Sequence, residues 1–300
     1  MTANPASALE TLLADGIRYE RSGVISRARE CFDEVTERAG EDHAAAAEAW
    51  WRIANLHRLH SSWDQALAAA YASEQLAREH ELPDIQADAL NIQGAVWMIR
   101  GDFDQARELF TRALEVARST PIRAKALQNL GGIAAEGRAF DEAERLFSAS
   151  RVAYRQAGDL RGEACSLLNV GRLQIDRGYP LVASQTLEAA VVASRQSGDL
   201  EMYAAALLTL GVALGNLGHI GDAEERITTA YGQFTIADIP HQRVRCLMQL
   251  ATLATRRNEP DAAKVCLLHA KDVATAAGLP RELTLIESHL AAKPAKGDGM

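Results

Sequence analysis

Asn129 and Asn169 stand forty residues apart, Gln249 follows eighty residues after Asn169, and Gln128, Asn91 and Asn55 extend the set toward the N-terminus. A side-chain amide offers a donor and an acceptor together, so it can hold a peptide unit whatever side chain that unit carries. One such bond nets only about 0.5–1.5 kcal/mol, and a surface that reads backbone must therefore repeat the residue at a fixed structural step. Near these amides Arg172 offers a fork for a carboxylate. Trp51, Leu208, Val212 and Met248 offer apolar contact. This is recognition chemistry.

Catalytic chemistry finds little purchase. The chain contains no H-E-x-x-H, G-x-S-x-G or phosphate-binding G-x-x-x-x-G-K-[ST] segment. His57 and His60 share a helix face at i, i+3, but no cysteine or second pair stands near them to complete a metal site. Cys165 has no histidine indicated beside it to raise a nucleophile. Cys31, Cys165, Cys246 and Cys266 are far apart and form no C-x-x-C, which fits small free thiols in a reducing compartment. No catalytic residue, metal site or cofactor is expected.

The elements that carry these residues must be helical. The 300 residues are 48% hydrophobic and only 5% aromatic, with 8 prolines, so a large core has to be filled by Leu, Ala, Ile and Val. Net charge is −8, with 24 acidic against 16 basic residues in 1–150 and 16 against 16 beyond. A chain without a basic stripe is a poor nucleic-acid binder. The N-terminal MTANPASALETLLADG lacks a basic region followed by an apolar core, which makes the cytoplasm the expected location. The uncharged run from Met202 to Gly221 is interrupted by Thr209, Asn216, His219 and glycines, and reads as a buried helix entering a turn, not a membrane segment.

A period near forty residues organises everything else. A small residue recurs at Gly16, Ala54, Gly94, Gly131, Gly171, Gly211 and Ala251, and twelve residues after each stands an alanine, from Ala28 to Ala263. Four residues before each small position comes Leu or Trp50. Four residues after each alanine comes Phe, Leu or Ile, except at Ala70. Two antiparallel helices in close backbone contact give this pattern, with bulky groups one turn away filling the surrounding space. Segments such as RGDF, RGYP and RNEP close the first helix of a pair, and AGDL, SGDL, IADIP and AAGLP separate pairs. Pro83, Pro121, Pro240 and Pro280 fall at the start of first helices, Pro180 and Pro260 at the start of second ones, where the missing N–H costs nothing.

LNIQGAVWMIRGDFDQARELFTRAL (Leu90 to Leu114) and LQNLGGIAAEGRAFDEAERLF (Leu127 to Phe147) resemble the tetratricopeptide repeat. The period departs from that family's usual length of about 34, and Pro180, Ile220 and Pro260 replace the aromatic in the last three inter-helix turns. Longer repeats of this kind are similar to those of kinesin light chains and of bacterial regulators that receive peptide signals. The resemblance implies an all-α, right-handed solenoid of seven helix-turn-helix repeats over residues 8–280. It is followed by a capping helix at 281–290, with a flexible N-terminus at 1–7 and a flexible tail at 291–300.

In such a solenoid the first helix of each pair lines a groove, and positions three before, two before, one after and four after the small residue share one face. Those positions hold Trp51, Asn55, Asn91, Gln128, Asn129, Asn169, Arg172, Leu208, Val212, Met248 and Gln249. In the long-repeat families resembled, an Asn before the Leu-Gly step holds the backbone of an extended peptide. Asn129 and Asn169 occupy that place and Gln249 partly does, whereas Arg52, Ile92 and Thr209 do not. Against this stand plainer roles: solvated amides, Trp51 packed between repeats, and Arg172 paired with Asp176 four residues on. The reading is a non-catalytic adaptor that takes a peptide segment or helix of a protein partner in its groove. The alternative is a sensor whose superhelix changes pitch on binding a peptide or small molecule. No nucleic acid and no membrane insertion are expected, and a homodimer through an uncapped end is left open.

Overall fold

A computed structural model of the chain describes residues 5–21, 24–60 and 62–291, and all its regular structure is helical among them. The flanking 1–4 and 292–300, on which most of the two expected flexible ends fall, lie outside the described residues, as does part of the first expected turn, Ser22–Gly23. The chain divides into two compact units at Gly158/Asp159.

The first unit holds four antiparallel helix pairs: α1 (Pro5–Arg21) with α2 (Ile25–Arg38), α3 (His43–Leu59) with α4 (Trp63–Glu79), α5 (Pro83–Arg100) with α6 (Phe103–Val116), and α7 (Thr120–Glu136) with α8 (Phe140–Gln156). The second holds α9 (Leu160–Asp176) with α10 (Pro180–Ser197), α11 (Leu200–Asn216) with α12 (Ile220–Ile236), and α13 (Pro240–Arg256) with α14 (Pro260–Ala276). The last helix, α15 (Pro280–Ala291), packs on α14.

Boundary chemistry is local. Asp42, Asp102, Asp159 and Asp199 each accept a hydrogen bond from the backbone N–H three residues on, at 2.9–3.1 Å, which satisfies an orphan donor of the helix that follows. Gly101 closes α5 at φ 84, a left-handed conformation that carries no Cβ penalty only for glycine. In GRAF the left-handed residue is Arg138, φ 57, while Gly137 stays at φ −74. There the glycine is a C-cap and its neighbour makes the turn.

Inside each hairpin the repeating small residue does something more specific than admit an alanine. A Cβ placed on Gly94 would lie 2.6 Å from Phe110 Cε1; on Gly131, 2.7 Å from Phe147; on Gly171, 2.5 Å from Leu187; on Gly211, 2.5 Å from Ile227. The glycine is a seat for the bulky side chain sixteen residues on. The alanine between, as at Ala106 or Ala183, is fully buried beside that contact. In the α3/α4 pair the sizes are exchanged: Ala54 brings a Cβ and Ala70 takes the place of the ring, both fully buried. The exception at Ala70 is thus matched across the hairpin.

Candidate functional site

The first-helix residues of the first unit are largely engaged with one another. Arg52 reaches Glu20 of α1 and Glu48 of its own helix, both at 2.8 Å, and Asn55 donates to Glu20 at 3.1 Å while its Oδ1 accepts from Arg58 at 2.8 Å. Lys125 of α7 pairs with Asp88 of α5 at 2.6 Å. Asn129 Nδ2 donates to Asn91 Oδ1 at 3.2 Å, and Asn91 is only 3% exposed. Trp51 is half-buried against the core of the first two pairs, as is Trp50, with the Arg52 guanidinium 4.5 Å above its ring and Lys125 Nζ at 5.9 Å. Gln128 is half-buried one residue before Asn129. These contacts tie α1 to α3 and α5 to α7, so Asn55 and Asn91 act as cross-links between neighbouring repeats.

In the second unit the same face opens into a cavity of about 400 Å³. From α9 come Arg172, Ile175 and Asp176, and from α11 Leu208, Thr209 and Val212. Arg245, Met248 and Gln249 of α13 and Leu285 of α15 complete it. Leu208 and Thr209 form a buried floor, 3% and 5% exposed. The Thr209 hydroxyl donates back to Ala205 O at 2.8 Å. Burial pushes the Arg172 guanidinium below its ordinary pKa, and the like charge of Arg245 adds to that push; the Asp176 carboxylate is the weakest opposing influence. The cavity therefore holds positive charge in partly desolvated surroundings.

Five of the expected residues, Arg172, Leu208, Val212, Met248 and Gln249, come together in this cavity. Asn169 lies one turn before Arg172, half-buried and outside the lining. Sequence reading missed Ile175, Arg245 and Leu285. Arg245 precedes Met248 by three residues and Gln249 by four, so extending the groove face one turn toward the helix start would have found it. Leu285 had no such signal, because α15 lies outside the forty-residue pattern.

The groups considered for catalysis are placed otherwise. His57 Nε2 accepts from Arg29 Nη1 at 2.6 Å, so its ring proton sits on Nδ1, and burial followed by the Arg29 charge lowers its pKa. Of the free thiols, Cys246 is buried in the core of α11, α12 and α13, and that burial pushes it up to about 12. Among the described residues no three His, Cys, Asp or Glu side chains gather as a metal site, and no helix is long and apolar enough to cross a membrane.

Residues 100–158 match the tetratricopeptide repeat family model. Among curated proteins none matches the sequence. Solved structures do share the fold. A Rap protein complexed with competence and sporulation factor superposes with a TM-score of 0.73 at 16% identity, over 93% of this chain and 80% of that one. The apo quorum sensor NprR from B. thuringiensis gives 0.72 at 13%, over 90% and 77%. Aspartyl phosphate phosphatase F from Bacillus subtilis gives 0.68 at 13%, over 87% and 69%. Residues 100–158 thus carry the tetratricopeptide repeat signature, and the helical hairpins share the fold of these solved structures.

Proposed function

We propose that this chain of tetratricopeptide-type repeats is a non-catalytic adaptor that binds a peptide segment or helix of a protein partner on its first-helix face. The cavity among α9, α11, α13 and α15 is the contact point, and the observation that carries the reading is its lining. A buried floor of Leu208 and Thr209, apolar walls, two guanidinium groups, one carboxylate and one amide converge there from separate repeats. Apolar area supplies affinity, while a few placed polar groups fix orientation. Asn169 extends the surface by one turn along α9. The acidic balance of the chain argues against a nucleic-acid partner, and the cytoplasm is the compartment that fits its free thiols.

A second reading, ligand sensing, is favoured by cavity size. About 400 Å³ falls in the range of small-molecule and short-peptide sites. The similar structures include a Rap protein complexed with competence and sporulation factor and a quorum sensor, which accords with that reading.

The test is a photo-crosslinking amino acid placed in turn at Val212, at Met248 and, as a control, at Val265, which is 65% exposed on the second helix α14. A common adduct at Val212 and Met248 that Gln249→Ala weakens is expected. Adducts at Val265 alone would place the interaction on the other face.

A further inference from the structure

The charges in the cavity are arranged in a way that names the ligand's chemistry. An arginine four residues from a carboxylate on one helix can close onto it, as Arg29 does on Asp33 and Arg52 on Glu48, each at 2.8 Å, whereas Arg78 and Glu74 each bond other residues. Arg172 and Asp176 have the same spacing, on α9, and line the same cavity, yet no ion pair joins them among the described residues. Arg245 approaches from α13, where its Nη1 donates to the neutral Gln242 at 3.0 Å. Two guanidinium groups thus share a space in which no protein carboxylate is bonded to either of them among the described residues. Arg172, half-buried, and Arg245, exposed, are like charges that an anion accepting from both would stabilise.

The rest of the wall excludes a bare inorganic anion as the best fit. Leu208, Val212 and Met248 present apolar surface directly beside the arginines, and Leu285, 49% exposed, adds more from α15. Phosphate would leave that surface wet. A ligand with a carboxylate at one end and an aliphatic body attached would cover both.

We infer that this cavity binds an amphipathic monocarboxylate, its carboxylate held by Arg172 and Arg245 and its aliphatic body laid on Leu208, Val212 and Met248. The inference rests on the first-helix face being the binding face, and it adds the chemical class of what is bound there. The same chemistry is offered by the free terminal residue of a peptide and by a small organic acid, and the experiment separates the two.

The full chain is titrated, by thermal shift and calorimetry, with N-acetyl-leucine, with N-acetyl-leucine amide, with octanoate, and with two mixtures of random hexapeptides that differ only in a free or amidated C-terminus. Binding of at least one free acid is expected, with retained hexapeptides enriched in aliphatic last residues. Amidation should weaken binding roughly 10- to 100-fold, the value of a charge-assisted bond pair. Arg245→Gln, at an exposed position, should weaken it similarly with unchanged circular dichroism, and Arg172→Gln should do the same if it folds. Binding of N-acetyl-leucine or octanoate as strong as that of the best hexapeptide identifies a small acid. Binding by hexapeptide acids alone identifies a chain end.

Equal binding of acid and amide mixtures, or no effect of Arg245→Gln, overturns the inference while leaving the face a peptide-binding surface. If no probe binds, the inference falls, and Val212 and Met248 crosslinking decides separately whether a larger partner uses the face.

Discussion

At the residue scale, the contact between a glycine and the side chain sixteen positions later is the smallest unit that specifies a hairpin. Phe110 is fully buried with its ring against Gly94, so adding one methyl group forces the ring or a helix to move. Gly94→Ala is expected to cost roughly 1–3 kcal/mol of stability. In the double variant Gly94→Ala with Phe110→Ala, the pair takes the form that α3/α4 uses at Ala54 and Ala70, and the loss should be smaller than the sum of the two single losses. Equilibrium denaturation of the four proteins checks this; strict additivity would mean that the two residues do not share the contact. The position three before the small residue also behaves differently from its reading on a helical wheel. Asn91 and Leu208, both at that position, are almost wholly buried because they lie where adjacent first helices meet. A wheel shows the direction of one helix and omits the neighbour that covers its edge.

At the scale of elements, most of what positions the cavity was legible in the sequence, for a physical reason. Close helix contact demands small residues at a fixed step, and turns demand Gly, Asn or Asp at the ends, so period and punctuation both appear in the letters. The cavity itself was only half legible. Met248 and Gln249 follow from the repeat register, but Arg245 belongs to the turn before it, and Leu285 belongs to a helix outside the period. Nor does the register reveal that Asn55 and Asn91 are occupied by Glu20 and Asn129, since partners from other repeats decide that. One boundary device can be tested alone. Asp199 caps α11 through Met202 N–H at 2.9 Å and meets Arg161 of α9 at 2.5 Å. Asp199→Ala should lower stability by about 1 kcal/mol, nearly all from the cap because Arg161 is largely exposed. Asp199→Asn, which keeps the acceptor, should recover most of the loss in a denaturant titration; equal losses would assign the effect to the ion pair.

At the scale of the whole molecule, the division at Gly158/Asp159 separates a unit whose first-helix residues are cross-linked by ion pairs and amides from one that carries the open cavity. Repeat arrays derive stability from each hairpin and its nearest neighbours, so a stack of three or four can stand without the remainder. Fragments 1–158 and 159–300, expressed separately, should each give a helical spectrum and a cooperative melt. Ligand binding should follow 159–300. A fragment that stays unfolded alone would show that the units depend on each other for their cores.

The matched sizes at Gly94 and Phe110, and their exchange at Ala54 and Ala70, also bear on how such a chain can be rebuilt. A second helix carrying a phenylalanine grafted opposite Ala54 would press its ring on a Cβ, and α4 set against Gly94 would leave a hole. Recombination that respects the protein's chemistry therefore has to cut in AGDL-like joints and move each hairpin entire, which makes the two-helix unit, and not the single helix, the currency of any shuffled library.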